Sequence, residues 1–170
     1  MNELENLLAK MKGQTCWSMI GISAGSMFTL DFGAQLKRDI VIGNEMLRKE
    51  QREFCGEYCL FVNMTGWRLY HGSECICHCN DSNKNDGPMV LGLSQLEGKK
   101  MLRYKFRNSP AELMIAFSEN YRLFLCDWEG SEPDEDAYIL FGDGLAVTVQ
   151  MNGKVSKQPS KRGSRKEDKT

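Results

Sequence analysis

Histidine and proline are scarce: His71 and His78 are the only histidines in 170 residues, and there are four prolines. No pair of histidines stands in ligand spacing, and neither a phosphate-binding loop nor a nucleophile elbow is present. Ser23-Ala24-Gly25-Ser26 has no Lys-Ser/Thr ending and no helix after it, so it reads as a turn and not as a phosphate cradle. Long hydrophobic runs are missing as well; nothing approaches the roughly 20 apolar residues that a membrane span needs. The first residues, Met1-Asn2-Glu3-Leu4-Glu5, carry acids where a signal peptide carries bases. The expectation is a cytoplasmic protein with no membrane attachment.

Seven cysteines are present, an odd number, and they sit in apolar strand-like segments rather than in Gly/Pro-rich loops. That usage suits buried, reduced thiols and argues against a disulfide framework. A net charge of −1 conceals an asymmetry: residues 153–170 hold seven Lys/Arg against two acids, about +5, which leaves about −6 on the rest. With 41% apolar residues the chain can bury enough surface to fold unaided as one domain.

What the chain does have is alternation. In Tyr58-Cys59-Leu60-Phe61-Val62 both faces of an extended segment carry apolar groups, which predicts a central strand covered on both sides. Gly66 breaks the run and Trp67-Arg68-Leu69-Tyr70 resumes it, with the Trp beside the Gly directed into the core. The pattern recurs. Phe28-Thr29-Leu30-Asp31-Phe32, the 58–62 segment and Trp67 parallel Leu113-Met114-Ile115-Ala116-Phe117, Tyr121-Arg122-Leu123-Phe124-Leu125 and Trp128. Three residues, 118–120, separate the second pair of strands, whereas residues 33–57 are inserted in the first. We read two related β-meanders, at about 15–79 and 99–150, in a single α+β domain over 1–152 of mostly antiparallel sheet. An N-terminal helix capped by Asn2, with Leu4, Leu7, Leu8 and Met11 at helical spacing, closes at Gly13. A linking helix follows Pro88, with Met89, Val90, Leu93 and Leu96 directed inward. Residues 36–42 are expected as a further strand, and 44–54 as a charged helix or ribbon. Beyond Val155 the composition predicts a disordered basic tail over 153–170, one without the interleaved aromatics that specific nucleic-acid binding requires.

Two stretches carry potential chemistry. Glu74-Cys75-Ile76-Cys77-His78-Cys79 offers thiolates and imidazole, the ligands zinc prefers. In a regular strand its three sulfurs share one face about 6.5 Å apart, whereas the ligands of one tetrahedral ion lie within about 4 Å of each other. Core packing is therefore the reading for this region, and no metal or cofactor is expected. The alternative is a zinc-binding or thiol-dependent enzyme using 75–79, with Cys77, His78 and Cys79 as its ligands or nucleophile and base. The second stretch is residues 127–136, with six acids in ten positions and no counter-charge nearby. Trp128, Glu129, Glu132, Asp134, Glu135 and Asp136 form the candidate binding surface for a basic protein partner, with Trp128 as its anchor. The charged insertion around 48–53 is a second place where binding function can be grafted.

Ser26-Met27-Phe28-Thr29-Leu30-Asp31-Phe32-Gly33, Gly56-Glu57-Tyr58-Cys59-Leu60-Phe61-Val62, Trp67-Arg68 and Leu96-Glu97-Gly98 together resemble a group of small uncharacterised bacterial α+β proteins. Their common order is S-F-x-L-x-F-G, G-E-W-x-L-W-I, W-R-I and L-x-G. The likeness spans about 15–150, with Tyr58 and Phe61 standing where that group has tryptophan. It implies an α+β fold and bacterial origin, and assigns no catalytic residue. Small acidic proteins of this kind are similar to toxin-immunity proteins by analogy only. The functional expectation is a non-enzymatic protein-binding module of the immunity or accessory type.

Overall fold

The computed structural model describes residues 2–21, 26–108, 110–126 and 131–162. In chain order its elements are α1 (Glu3–Met11), β1 (Cys16–Gly21), β2 (Phe28–Lys37), α2 (Lys49–Glu53), β3 (Phe54–Val62), β4 (Gly66–His71) and β5 (Glu74–His78). There follow α3 (Pro88–Ser94), β6 (Met101–Asn108), β7 (Ala111–Phe117), β8 (Tyr121–Cys126), β9 (Asp136–Gly142), β10 (Leu145–Gln150) and β11 (Val155–Pro159). The fold is α+β with two antiparallel sheets, ordered β1-β2-β3-β9-β10-β11 and β5-β4-β8-β7-β6.

The period-2 pattern explains the strands, and β3 is indeed internal, between β2 and β9. What the pattern does not convey is the partition. The strands of each half separate: β1–β3 build one sheet and β4–β5 cross to the other, while β6–β8 build the second and β9–β10 cross back. Matching backbone bonds tie the halves together. Gly13 N–H donates to Met101 O and Gly98 N–H to Cys16 O, both at 2.7 Å; Cys16 N–H donates to Lys99 O and Met101 N–H to Gln14 O, both at 2.9 Å. Gly13 and Gly98 end their helical segments at φ of 89° and 86°, a conformation that glycine reaches without steric cost. Between the sheets Phe28 meets Trp67 edge-to-face at 5.1 Å, and Phe32 stacks on Phe117 at 6.2 Å. The α1 cap is a reciprocal box, with Glu5 N–H on Asn2 Oδ1 and Asn2 N–H on Glu5 Oε2, and all four apolar residues of its stripe are buried.

Three expectations are corrected. Residues 36–42 are not a separate strand: β2 continues to Lys37, and the chain then runs irregularly to Arg48. The charged helix or ribbon expected over 44–54 is helical only over the five residues of α2, anchored by buried Gln51, whose amide donates to Ser18 Oγ and Met19 O. The tail is not wholly irregular, because β11 pairs with β10 over five residues and Arg162 reaches Asp31. A composition rule for disorder weighs apolar side chains, whereas this strand is held by ladder bonds along the otherwise open edge of β10. Residues 163–170 lie outside the described residues. A further change concerns β2, which bulges between Phe32 and Gln35 so that two of its residues oppose Glu57. Gly33 takes φ 76° there, as a bulge of this type requires.

Candidate functional site

Residues 131–136 of the acidic stretch lie on a braced loop segment. Trp128 and Glu129 lie outside the described residues; Glu132 and Asp134 are exposed, and Glu135 and Asp136 are half-buried. Backbone bonds fasten the loop on two sides. Met64 N–H donates to Asp136 O at 3.1 Å, from the turn before β4. From the turn between β10 and β11, Met151 N–H donates to Glu135 O and Asn152 N–H to Pro133 O, both at 2.9 Å. Gln150 adds a side-chain bond to Asp134 O. Among the described residues no cation pairs with Glu132, Asp134, Glu135 or Asp136. Glu135 Oε2 accepts the Glu132 N–H at 3.1 Å. Glu132 and Asp134 direct their charge to solvent.

The cysteine strand departs from the one-face geometry. Leu69 pairs with Cys77 but Tyr70 pairs with Cys75, so β5 bulges at Ile76 and the faces exchange. Cys75 is exposed while Cys77 is buried, its sulfur so close to Gly92 of α3 that a Cβ there would lie 2.5 Å away. Cys75, His78, Cys79 and Cys126 border a shallow hollow of about 310 Å³ on the opposite side. Both nitrogens of His78 are engaged locally: Nδ1 accepts Asn80 N–H at 3.2 Å, and Nε2 stands 3.4 Å from Asp81 Oδ1. Among the described residues no group of three or more His, Cys, Asp or Glu is placed to hold a metal ion. Burial foremost, with Asp81 and Cys75 adding to it, pushes the Cys77 thiol up to about 12. Burial likewise raises the Cys16 and Cys59 thiols.

Cys16, Cys55, Cys59 and Cys77 are buried, and Cys79 and Cys126 are intermediate. Since a thiol reacts as its thiolate and only where reagent reaches it, alkylation in native buffer should show one fast site, Cys75. Cys75→Ser should abolish the fast phase. Survival of that phase in C75S would place the reactive sulfur elsewhere and reopen the catalytic reading.

The charged insertion does not present a free charged face. Arg48 pairs with Glu97 at 2.7 Å and Lys49 with Glu53 at 3.9 Å. The insertion roofs a cavity of about 550 Å³ against β1 and α3, whose lining includes Met19, Ile42, Met46, Met89 and Glu97. Ile40 and Met46 of this segment stand exposed, at 83% and 74%. Sequence reasoning missed this cavity, and also the Asp31–Arg162 pair, because each joins residues tens of positions apart.

Among the described residues no helix is long and apolar enough to cross a membrane. Set against known proteins, the chain matches no family model, no curated protein and no solved structure. The class that fold and site define is a two-sheet α+β protein with an acidic, braced loop.

Proposed function

We propose that the chain is a non-enzymatic, cytoplasmic binding module that captures a basic protein partner, of the kind bacteria use as immunity or accessory proteins. The observation that carries this reading is the set of carboxylates Glu132, Asp134, Glu135 and Asp136, which no cation among the described residues pairs with, on a loop segment held by two neighbouring turns. A loop ordered before binding loses little entropy on complex formation, and like charges left together steer a cationic partner from a distance. Seven cysteines, an odd number set largely in buried strands, suit a reducing compartment. The sequence resemblance supports the bacterial assignment.

The test replaces all four acids with Ser. Loss of mutual repulsion offsets loss of the Glu135–Glu132 bond, so the melting temperature should move by less than about 2 °C. Retention of basic proteins from a lysate by the immobilised chain should fall about tenfold or more at low salt. Undiminished retention by the four-Ser variant would refute the acidic-loop reading.

A further inference from the structure

The outer face of the first sheet holds a feature that the acidic loop does not use. Register places Ser18, Asp31, Cys59, Phe141, Ala146 and Gln158 in one row across β1, β2, β3, β9, β10 and β11. Phe28, Leu30 and Phe32 face the other sheet, so by alternation this row faces outward. Yet Asp31 and Cys59 are 0% exposed and Ala146 is 4% exposed. Gln51 covers Ser18 at one end. From the other end the chain leaves β11, Ser160 N–H bonds Gly144 O, and Arg162 folds back over the row. Its guanidinium lies 5.1 Å from the Phe141 ring centroid, and Nη2 donates to Asp31 Oδ1 at 2.9 Å. Gly56 N–H shares that same oxygen, also at 2.9 Å.

This is a built guanidinium site: a buried carboxylate, an aromatic face and a strand edge leading to them. Its present occupant fits it incompletely. Arg162 gives Asp31 one bond where a fork-to-fork arginine gives two, and its guanidinium also reaches Cys59 beside the carboxylate. The strand that delivers Arg162 lies at the exposed edge of its sheet. All five residues of β11 are exposed, and beyond its ladder it has the Lys157–Glu3 ion pair on α1. The turn that starts β11 is bonded to the acidic loop through Met151 and Asn152.

We propose that the β10 edge and the Asp31–Phe141 row form a recognition site for an extended, arginine-bearing segment of a basic protein partner, filled here by residues 155–162 as a built-in competitor. The inference rests on the reading that the chain captures a basic partner, and assigns a second surface to it. A tethered occupant acts at an effective concentration of order millimolar, so an incoming strand binds weakly until the tether is loosened. The partner enters by replacing β11 along β10 and pairing its arginine with both oxygens of Asp31.

The experiment titrates a fluorescein-labelled peptide of residues 154–162 into the full chain and into Arg162→Ala, read by anisotropy, with amide hydrogen exchange across β11. R162A should exchange its β11 amides faster and bind the peptide saturably, about tenfold or more tighter than the unaltered chain. The peptide carrying alanine in place of its arginine should bind R162A about tenfold more weakly. If R162A does not fold, Lys157→Glu, which breaks the exposed ion pair and leaves Asp31–Arg162 in place, takes its role. Absence of peptide binding to the loosened variant, whether β11 exchange rises or not, overturns the proposal, as does equal binding of the arginine and alanine peptides. A dimer formed by exchange of tails overturns the partner assignment in favour of a second copy. The arginine-to-alanine comparison reads the Asp31 site and not the four acids of the loop, so equal binding of the two peptides leaves the acidic-loop reading standing, whereas undiminished retention by the four-Ser variant refutes that reading without changing the peptide comparison.

Discussion

Trp67→Ala should be the most destabilising single truncation in this protein, costing about 3–5 kcal/mol. Trp67 is fully buried on β4 of the second sheet, and its ring meets Phe28 on β2 of the first edge-to-face at 5.1 Å and 76°. It therefore joins the sheets, and truncation opens a cavity at their interface that neither sheet can close without shifting against the other. The indole N–H also donates to Ser26 O at 2.9 Å, a bond that the alanine variant cannot replace. For a domain of this size the loss corresponds to a melting temperature lower by about 6–20 °C. Trp67→Phe, which retains most of the ring contact, should cost clearly less. Thermal unfolding of both variants beside Trp17→Ala, a half-buried tryptophan, checks the ordering. A W67A protein that melts with W17A would mean the sheets are not joined here.

The second large effect is expected at Gly56→Ala, and its cause is space rather than backbone torsion. A Cβ on Gly56 would lie 2.6 Å from Tyr58 O, 2.7 Å from Phe32 N and 2.8 Å from Phe32 O, all backbone atoms at the bulge of β2 on β3. Backbone in a paired ladder cannot rotate aside as a side chain can, so the strands must part. That costs about 3 kcal/mol or more, and it also disturbs the Gly56 N–H bond to Asp31. Gly43→Ala is the matched control, because nothing lies within 4 Å of its added Cβ; that variant should stay within about 0.5 kcal/mol of the parent. Chemical denaturation of the pair measures the difference. Equal stability of G56A and G43A would show that the bulge relaxes.

The strands that were legible were those whose side chains alternate. Residues 121–125 were marked by Tyr121, Leu123 and Leu125, buried, against Arg122 and Phe124, half-buried, and the segment falls within β8. The Asn2 cap and the four-residue stripe of α1 were legible for the same reason, since cap and stripe are local in sequence. The insertion failed as a strand because residues 38–48 are held by contacts that alternation does not encode. Arg38 donates to Gln51 O, Arg52 to Ile42 O, and Arg48 pairs with Glu97 on the far side of a cavity. The candidate site was legible only as composition. Clustered acids announced a charged surface, but its bracing by the turns at 64 and 151–152 depends on which strands end side by side.

The amino-acid sequence by itself determined the period and position of most strands, the capped N-terminal helix, the burial of Trp67 and the charge division between body and tail. Those properties reside in neighbours along the chain, where side-chain type and spacing act directly. The tertiary structure alone decided that each half would give its last strands to the other sheet. It alone turned Cys77 away from Cys75, through a bulge that shifts one residue, and brought Arg162 to Asp31 across 131 positions. Such outcomes depend on which edges and buried charges remain to be satisfied once the sheets have formed. A buried carboxylate takes the cation that the assembled fold brings within reach.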